Sequence, residues 1–291
     1  MSTPKKIFIS YGNAPFKDTL KRLKKEAKSL GIFDKVITYT EKDLSKEVLS
    51  SPLMQNSRGG GYWVWKPYVI LKTMQAYPNA LIVYADAGCT LNKNMEEWDS
   101  WFRLMDSYDM LVQAYQADRD YGWLEVFGMS SVAISTWTKK GTIDFFDKEI
   151  GDKIWHNFNK IWGGYLIIHN KSALIQDWLD IMLTYPELVV DPTEEEMANQ
   201  YKGFAVHRHD QSILTALVYQ YQQGKRLRIR VMPETAESTK TAAVVAARIR
   251  FIEKVPLKTR LIHIMKSILG ERGYNVMHFR GPSNIQNGEN N

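Results

Sequence analysis

The spacing of apolar residues near the start of the chain predicts a strand, a helix and a second strand. Residues 5–12 contain a short apolar run that leads into a loop, which is typical of a β-strand. Residues 17–30 carry Leu20 and Leu23 on one face and charged side chains elsewhere, which predicts an amphipathic helix. Residues 35–40 are rich in β-branched side chains and predict another strand. A strand–helix–strand order is typical of a parallel α/β sheet.

The same spacings predict alternating helices and strands as far as residue 231. We expect further helices at residues 66–76, 95–105, 142–150, 171–185 and 209–221, and further strands at residues 80–86, 110–115, 161–169 and 226–231. The last of these strands alternates with a period of two, so one of its faces should meet water. A polar, acidic stretch at residues 191–203 predicts a surface loop and a helix.

The chain changes character after Pro233. Residues 234–241 are polar and resemble a linker. Residues 242–270 form a basic amphipathic pattern that predicts a helical region, broken by Pro256. Residues 283–291 are polar and predict a disordered end.

Positive charge is concentrated in this last part of the chain. The formal net charge is +6, and residues 236–291 contain nine Lys or Arg against four Asp or Glu. Such a segment could contact anionic lipid or nucleic acid, or could be the solvated face of a helix. We therefore divide the chain into an α/β domain at residues 1–235 and a basic helical extension at residues 236–291.

Composition narrows the class of protein. With 44% hydrophobic and 24% charged residues, the 291-residue chain is typical of a globular protein. Its single cysteine, Cys89, excludes an intramolecular disulfide framework and a cysteine-based zinc site, and fits a reducing compartment. The first residues lack the apolar region of a signal peptide, and no window approaches about 18 uninterrupted apolar residues. We expect a cytoplasmic protein.

The strand at residues 80–86 is the most informative element. It is apolar throughout, which predicts burial on both faces, and it ends on the carboxylate of Asp86, followed by small residues. Open α/β sheets bind ligands at the carboxyl ends of such strands. A carboxylate at that edge is suited to a ribose hydroxyl or a divalent cation, although Asp86 could also cap a tight turn.

Residues 58–67 combine three glycines, two tryptophans and two cations. The glycines beside Arg58 could let the backbone approach a phosphate, and Lys66 at a helix start would lie where anions gather. The alternative is that both cations are solvated on the surface. Trp63 and Trp65 alternate, so we expect one to face inward and the other to face a ligand.

A tryptophan followed by two glycines begins the strand at residues 161–169. Trp162, Gly163 and Gly164 could form a wall for an acceptor sugar, because glycines admit a ring against the backbone. The alternative is a turn that requires positive φ.

Two histidine-containing clusters lie later in the chain. In residues 207–211, Asp210 could be the N-cap of the helix that follows, or a base or acceptor-binding group among two histidines and an arginine. In the basic extension, His278 and Arg280 could reach a diphosphate, or could lie in a surface loop.

Together these segments resemble nucleotide-sugar glycosyltransferases of the GT-A type, and more narrowly bacterial enzymes of capsule and lipopolysaccharide assembly. Five segments between about residues 7 and 215 carry the resemblance: residues 10–12, 60–67, 83–88, 162–164 and 209–214. The resemblance implies a Rossmann-like, mostly parallel sheet flanked by helices, followed by the helical tail.

The resemblance also assigns roles to residues. It implies that Asp86 and Asp210 are catalytic and that the loop at residues 10–13 meets the nucleotide base. The implied donor-binding residues are Ser10, Tyr11, Gly12, Arg58, Trp65, Lys66, Asp86, Ala87, Gly88 and Arg280. The implied acceptor-binding residues are Trp162, Gly163, Gly164, His209, Asp210 and Gln211.

The resemblance further implies Mn²⁺ or Mg²⁺, with Asp86 and His278 as ligands. Asp86 occupies the first position of an Asp-x-Asp motif that meets metal and ribose. Gly88 stands where the second Asp usually lies, so this ligand set is one carboxylate short.

We expect transfer of a sugar from a nucleoside diphosphate donor, with UDP favoured, to a cell-surface glycan or lipid-linked acceptor. The basic extension would then dock on the anionic inner face of the plasma membrane. Gly88 also keeps open a second interpretation, a sugar-nucleotide-binding protein without catalysis. The positive net charge suggests a third interpretation, a nucleic-acid-binding module. No motif supports this interpretation, and no nucleic-acid partner is expected.

Overall fold

The structure, a computed structural model, describes residues 4–116, 131–169, 172–234 and 240–246. Its strands are β1 (Lys6–Tyr11), β2 (Lys35–Tyr39), β3 (Leu81–Ala85), β4 (Thr90–Leu91), β5 (Met110–Ala114), β6 (Ile161–His169), β7 (Ile229–Pro233) and β8 (Val244–Val245). Its α-helices of five or more residues are α1 (Lys17–Leu30), α2 (Lys46–Ser50), α3 (Trp65–Ala76), α4 (Met95–Leu104), α5 (Lys140–Ile150), α6 (Ser172–Thr184), α7 (Glu194–Ala198) and α8 (Asp210–Gln223). Among these described residues, no helix is both long enough and apolar enough to span a bilayer.

The large sheet has the strand order β2–β1–β3–β6–β5–β7. β1 is parallel to β2 and β3, and β5 is parallel to β7, whereas β6 is antiparallel to both of its neighbours. The predicted architecture, a mostly parallel sheet flanked by helices, is therefore confirmed. Because β6 is reversed, it begins at the same edge of the sheet where β1, β3 and β5 end.

Both faces of the sheet are covered. Ile82 and Tyr84 of β3 belong to one apolar cluster, which includes α3, α6 and α8. Leu81 and Val83 face the other way and pack with α1 and α4. This burial explains the continuous apolar run of the strand, since a strand covered on both sides has no wet face to mark with polar residues.

The predicted elements match the observed ones closely where apolar spacing is strong. α1 has the predicted bounds and stops at Gly31, which adopts the left-handed conformation (φ 69°). The agreement is weaker at residues 226–231, where the observed strand β7 begins only at Ile229. Arg228 is instead bound to Asp109, through its backbone N–H and its guanidinium.

The helical prediction is wrong at the start of the basic extension. Val244–Val245 form a strand that pairs antiparallel with Thr90–Leu91, and Ala243 is fully buried against the domain. Backbone pairing and burial at this point outweigh the helical spacing of the sequence. The rest of the predicted helical region, and the predicted disordered end, lie outside the described residues, and the division at residue 235 stays a prediction.

Candidate active site

A pocket of about 640 Å³ lies at the edge where β1, β3 and β5 end. Cavities of this size are common for small-molecule ligands. The predicted site residues that line it are Tyr11, Gly12, Arg58, Trp65, Asp86, Ala87, Gly88, Trp162 and Gln211, together with Asn13 of the predicted base-binding loop. Lining residues that sequence analysis did not assign to the site include Pro15, Phe16, Ser57, Tyr115, Lys160, Arg208 and Ala246.

Asp86 lies directly after β3 and faces this pocket. Its backbone N–H donates to the carbonyl of Gly164, and its carbonyl accepts from the N–H of Cys89 at 2.9 Å, which closes a tight turn. The side chain is about one-third exposed, and its Oδ1 accepts a hydrogen bond from the hydroxyl of Tyr84. Asp86 therefore shapes a turn with its backbone while it presents its carboxylate to the pocket.

Lys66 lies behind that carboxylate, in a different position from the one predicted. Its side chain is 1% exposed, and its Nζ lies 2.9 Å from Oδ2 of Asp210 and 3.4 Å from Oδ1 of Asp86. Nζ also donates to the carbonyl of Gly163 at 2.9 Å. Lys66 is thus neither a solvated surface cation nor a residue of the pocket wall, because both carboxylates draw it inward.

The charge of this cluster is set by burial and pairing. Burial lowers the pKa of Lys66, but the attraction of Asp210 and Asp86 outweighs it, and the net pKa is raised. Burial raises the pKa of Asp210 to about 6, against the opposing effect of Lys66. At neutral pH the cluster therefore pairs the Lys66 ammonium with the Asp210 carboxylate.

Asp210 does not cap its helix. The N-cap residue of α8 is His209, with a strained backbone (φ 54°), and Asp210 is the first helical residue. This backbone directs the Asp210 carboxylate toward Lys66 and leaves Gln211 on the pocket wall. The N-cap alternative is wrong because the carboxylate is used in a tertiary contact.

Gly163 and Gly164 lie inside β6 and have no positive φ, so the turn alternative is also wrong. A Cβ on Gly163 would lie 2.9 Å from Cγ of Gln211, and one on Gly164 would lie 2.3 Å from Cζ2 of Trp162. These glycines are required because side chains from β6 and α8 occupy the space that a Cβ would need.

The glycine-rich segment forms a left-handed turn at Gly59–Tyr62. The backbone φ is positive from Gly59 through Trp63, and a Cβ on Gly61 would lie 2.3 Å from Sδ of Met54. Three consecutive glycines make this turn possible, because other residues rarely adopt it. The turn positions both tryptophans that the sequence singled out.

Both tryptophans line the pocket, and Trp65 is the more deeply buried of the two, as a member of the apolar core. Trp65 stacks on Tyr11 with ring centroids 4.1 Å apart, and its Nε1 donates to the carbonyl of Gly59. Trp63 stacks on His209 at 5.5 Å. The pocket therefore has rigid aromatic walls.

Three cations line the pocket within the described residues. Arg58 is about half exposed and pairs with Asp191 at 3.2 Å. Lys160 is almost fully buried, with its ammonium 4.3 Å from the centre of the Tyr115 ring and 5.4 Å from that of Trp137. Arg208 lies over the same Trp137 ring at 5.0 Å. Sequence reasoning missed Lys160, an isolated cation that only the fold brings to the sheet edge, and it noted Arg208 only as a neighbour of Asp210.

The other predicted site residues lie behind the pocket wall or outside the described residues. Ser10, Lys66, Gly163, Gly164, His209 and Asp210 do not line the pocket. Burial lowers the pKa of His209 to about 4, so its imidazole is neutral at pH 7, and Nδ1 contacts the carbonyl of Val189. His278 and Arg280 lie outside the described residues.

No described residues gather into a metal-binding group of three or more His, Cys, Asp or Glu side chains. Asp86 is the only carboxylate that lines the pocket among the described residues, and its Oδ1 already contacts Tyr84 and Lys66. The predicted Mn²⁺ or Mg²⁺ site therefore stays a prediction.

No protein-family model and no curated protein matches the chain. A glycosyltransferase involved in the glycosylation of the major capsid of PBCV-1 is structurally similar, with 11% identity and a TM-score of 0.37 over 70% of this chain and 82% of that one. Mouse xyloside xylosyltransferase 1 has 13% identity and a TM-score of 0.39 over 79% and 84% of the two chains. The galactosyltransferase LgtC, in complex with donor and acceptor sugar analogs, has 12% identity and a TM-score of 0.37 over 77% and 72%. At these values no residue role is carried over from these proteins.

Proposed function

We propose that this protein is a glycosyltransferase that moves a sugar from a nucleoside diphosphate donor to a glycan or lipid-linked acceptor. The observation that carries the proposal is the Asp86 carboxylate, which faces a pocket at the carboxyl edge of the sheet and is held by Lys66. A carboxylate at this position can accept hydrogen bonds from the hydroxyls of a ribose or a sugar.

The donor is proposed to lie across the ends of β1 and β3. The stacked pair Tyr11 and Trp65 forms a flat aromatic wall suited to a nucleotide base. Arg58, Lys160 and Arg208 supply positive charge for a diphosphate. Cations near the departing diphosphate lower the barrier because negative charge grows there as the sugar leaves.

The acceptor is proposed to lie beside the start of β6, against Trp162 and Gln211. The Trp162 indole offers an apolar face for a sugar ring, and Oε1 of Gln211 is buried without a hydrogen-bond partner among the described residues. Asp210 contributes negative charge from behind this wall. To take a proton from an acceptor hydroxyl it would have to separate from Lys66.

The finer assignments belong to the same proposal. UDP is the favoured nucleotide, a capsular or lipopolysaccharide glycan is the favoured product, and the inner face of the plasma membrane is the favoured location. They rest on the sequence resemblance and on the basic composition of residues 236–291.

A panel of UDP-, GDP-, CMP- and dTDP-linked sugars tests the proposal. We expect one member to raise the melting temperature and to release free nucleotide slowly by hydrolysis. Asp86→Asn, which keeps the shape and removes the charge, should lower turnover by roughly 100-fold or more while the fold survives. Asp99→Asn on the exposed face of α4 is the matched control. Binding without nucleotide release would favour a non-catalytic binder, and near-normal turnover of Asp86→Asn would refute the assignment.

A further inference from the structure

Lys66 occupies a position built for a cation. Its Nζ contacts Oδ2 of Asp210 at 2.9 Å, Oδ1 of Asp86 at 3.4 Å and the carbonyl oxygen of Gly163 at 2.9 Å. The side chain is 1% exposed, so the ammonium is shielded from bulk solvent. Three oxygen ligands, two of them charged, surround one buried ammonium.

The surrounding backbone is arranged to hold that ammonium in place. Lys66 follows the left-handed turn and is the second residue of α3, which fixes the start of its side chain. A Cβ on Gly163 would lie 3.6 Å from Nζ of Lys66 and 2.9 Å from Cγ of Gln211, so only glycine fits there. The faces of Trp65 and Tyr84 lie 5.9 and 5.7 Å from the ammonium.

Within the described residues, the same geometry does not fit a divalent cation at Asp86. A Mg²⁺ ion bonds to oxygen at about 2.1 Å and prefers several oxygen ligands. Oδ1 of Asp86 already contacts the Tyr84 hydroxyl and Lys66, and Gly88 adds no side-chain oxygen. A metal ion on this carboxylate would also lie next to the Lys66 ammonium, and like charges at such a distance repel.

We propose that the Lys66 ammonium is a built-in cation that takes the place of a divalent metal, so that the site binds its nucleoside diphosphate donor without Mn²⁺ or Mg²⁺. The proposal rests on the proposed function. Lys66 acts as a positioning residue: it holds the Asp86 carboxylate toward the donor and neutralises charge that would otherwise repel the diphosphate. Arg58, Lys160 and Arg208 then contact the diphosphate from the pocket side.

The proposal predicts that removing the ammonium creates a metal site. Lys66→Met keeps most of the side-chain volume and leaves Asp86 and Asp210 facing one another across the vacated position. Two carboxylates and a carbonyl oxygen are suitable ligands for Mn²⁺. A lysine that contacts no carboxylate, such as Lys72, would leave no such set of ligands when it is replaced.

The experiment uses the whole 291-residue chain and titrates Mn²⁺, followed by the electron paramagnetic resonance of the free ion. We expect at least a 10-fold gain in Mn²⁺ affinity for Lys66→Met over the wild type, and loss of that gain in Lys66→Met/Asp86→Asn. Lys72→Met is the matched control, because Lys72 lies on the same helix and binds the backbone carbonyl of Asp43 rather than a carboxylate. A folded Lys66→Met variant with no gain would overturn the proposal.

A second measurement needs no variant. UDP binding to the wild type, measured by calorimetry in EDTA and in Mn²⁺, should agree within about 2-fold. A 10-fold or larger increase in Mn²⁺ would overturn the proposal even if Lys66→Met does not fold. If UDP does not bind, the nucleotide that the donor panel selects takes its place. The proposed function fails if the panel selects none, whereas the Mn²⁺ titrations still report whether Lys66 occupies a metal position.

Discussion

Lys66→Met should destabilise the protein in a pH-dependent way. The substitution removes the only ammonium that contacts both Asp86 and Asp210 in the described cluster. Removing one partner of a buried ion pair typically costs about 3–5 kcal/mol, because the other charge stays buried without compensation. We expect a loss of that order in the free energy of unfolding near neutral and mildly alkaline pH.

The sign of the pH dependence follows from Asp210. Its folded-state pKa is about 6, raised by burial from 3.8 even with Lys66 present. A carboxyl group whose pKa is higher in the folded state than in the unfolded state stabilises the fold. This stabilisation is complete at pH values below the unfolded-state pKa, and it is lost as the pH rises through the folded-state pKa. Without Lys66 the pKa rises further, so Asp210 takes up a proton on acidification and the buried charge disappears. One pH unit corresponds to about 1.4 kcal/mol. As the pH falls from about 8 to about 5, Lys66→Met should therefore recover roughly 2–3 kcal/mol of the free energy of unfolding that it lost relative to wild type.

Urea unfolding near pH 8 and near pH 5 measures this effect. In Lys66→Met/Asp210→Asn, residue 210 should contribute no pH dependence of its own to the free energy of unfolding, because no titrating carboxyl is left there. Lys72→Met on the same helix controls for loss of a lysine. If Lys66→Met lost the same free energy of unfolding at both pH values, the reasoning would be refuted, since Lys66 would then contribute packing and not charge compensation.

Three further predictions concern packing, reactivity and the donor. Gly164→Ala places a Cβ 2.3 Å from Cζ2 of Trp162, so the indole must move at a cost of about 1–3 kcal/mol, visible in urea unfolding and tryptophan fluorescence. Gly141→Ala should show no such loss, because its Cβ would meet nothing nearer than 3.8 Å. Burial raises the pKa of Cys89 well above its usual value, so iodoacetamide should label it only after unfolding, and fast labelling of the folded protein would contradict its burial. Arg208→Gln should weaken UDP binding by about 10-fold, as expected for loss of one charge-assisted contact, and unchanged affinity would place the diphosphate elsewhere.

Local pattern was sufficient for most of the fold. α1 was predicted with its observed bounds because one face is apolar and Gly31 stops the helix. The strand before Asp86 was predicted because burial on both faces requires an uninterrupted apolar run. Prediction was wrong at residues 242–246, where pairing with Thr90–Leu91 outweighs a helical spacing that the chain retains.

The candidate site was predictable only in part, because some of its residues are marked by their neighbours in sequence and others only by contacts in the fold. Asp86 could be selected because its position after a buried strand is local information. Lys160 could not, because nothing in the neighbouring sequence distinguishes it from a solvated surface cation, and Arg208 was noted only as a neighbour of Asp210. Lys66 was selected with a different role, since its burial depends on the carboxylate of Asp210, which lies far along the chain.

The sequence by itself determined the α/β class, the edge of the sheet where a ligand site should lie, and Asp86 as the carboxylate at that edge. Those features depend on the spacing of apolar residues and on residues adjacent in the chain, so they can be read from the sequence alone. Only the tertiary structure decided that Lys66 joins Asp86 to Asp210, that Gly163 and Gly164 make room for side chains, and that Arg58, Lys160 and Arg208 line one pocket. The energy of a charge depends on the solvent and the partners around it, and residues distant in sequence become neighbours only when the chain folds.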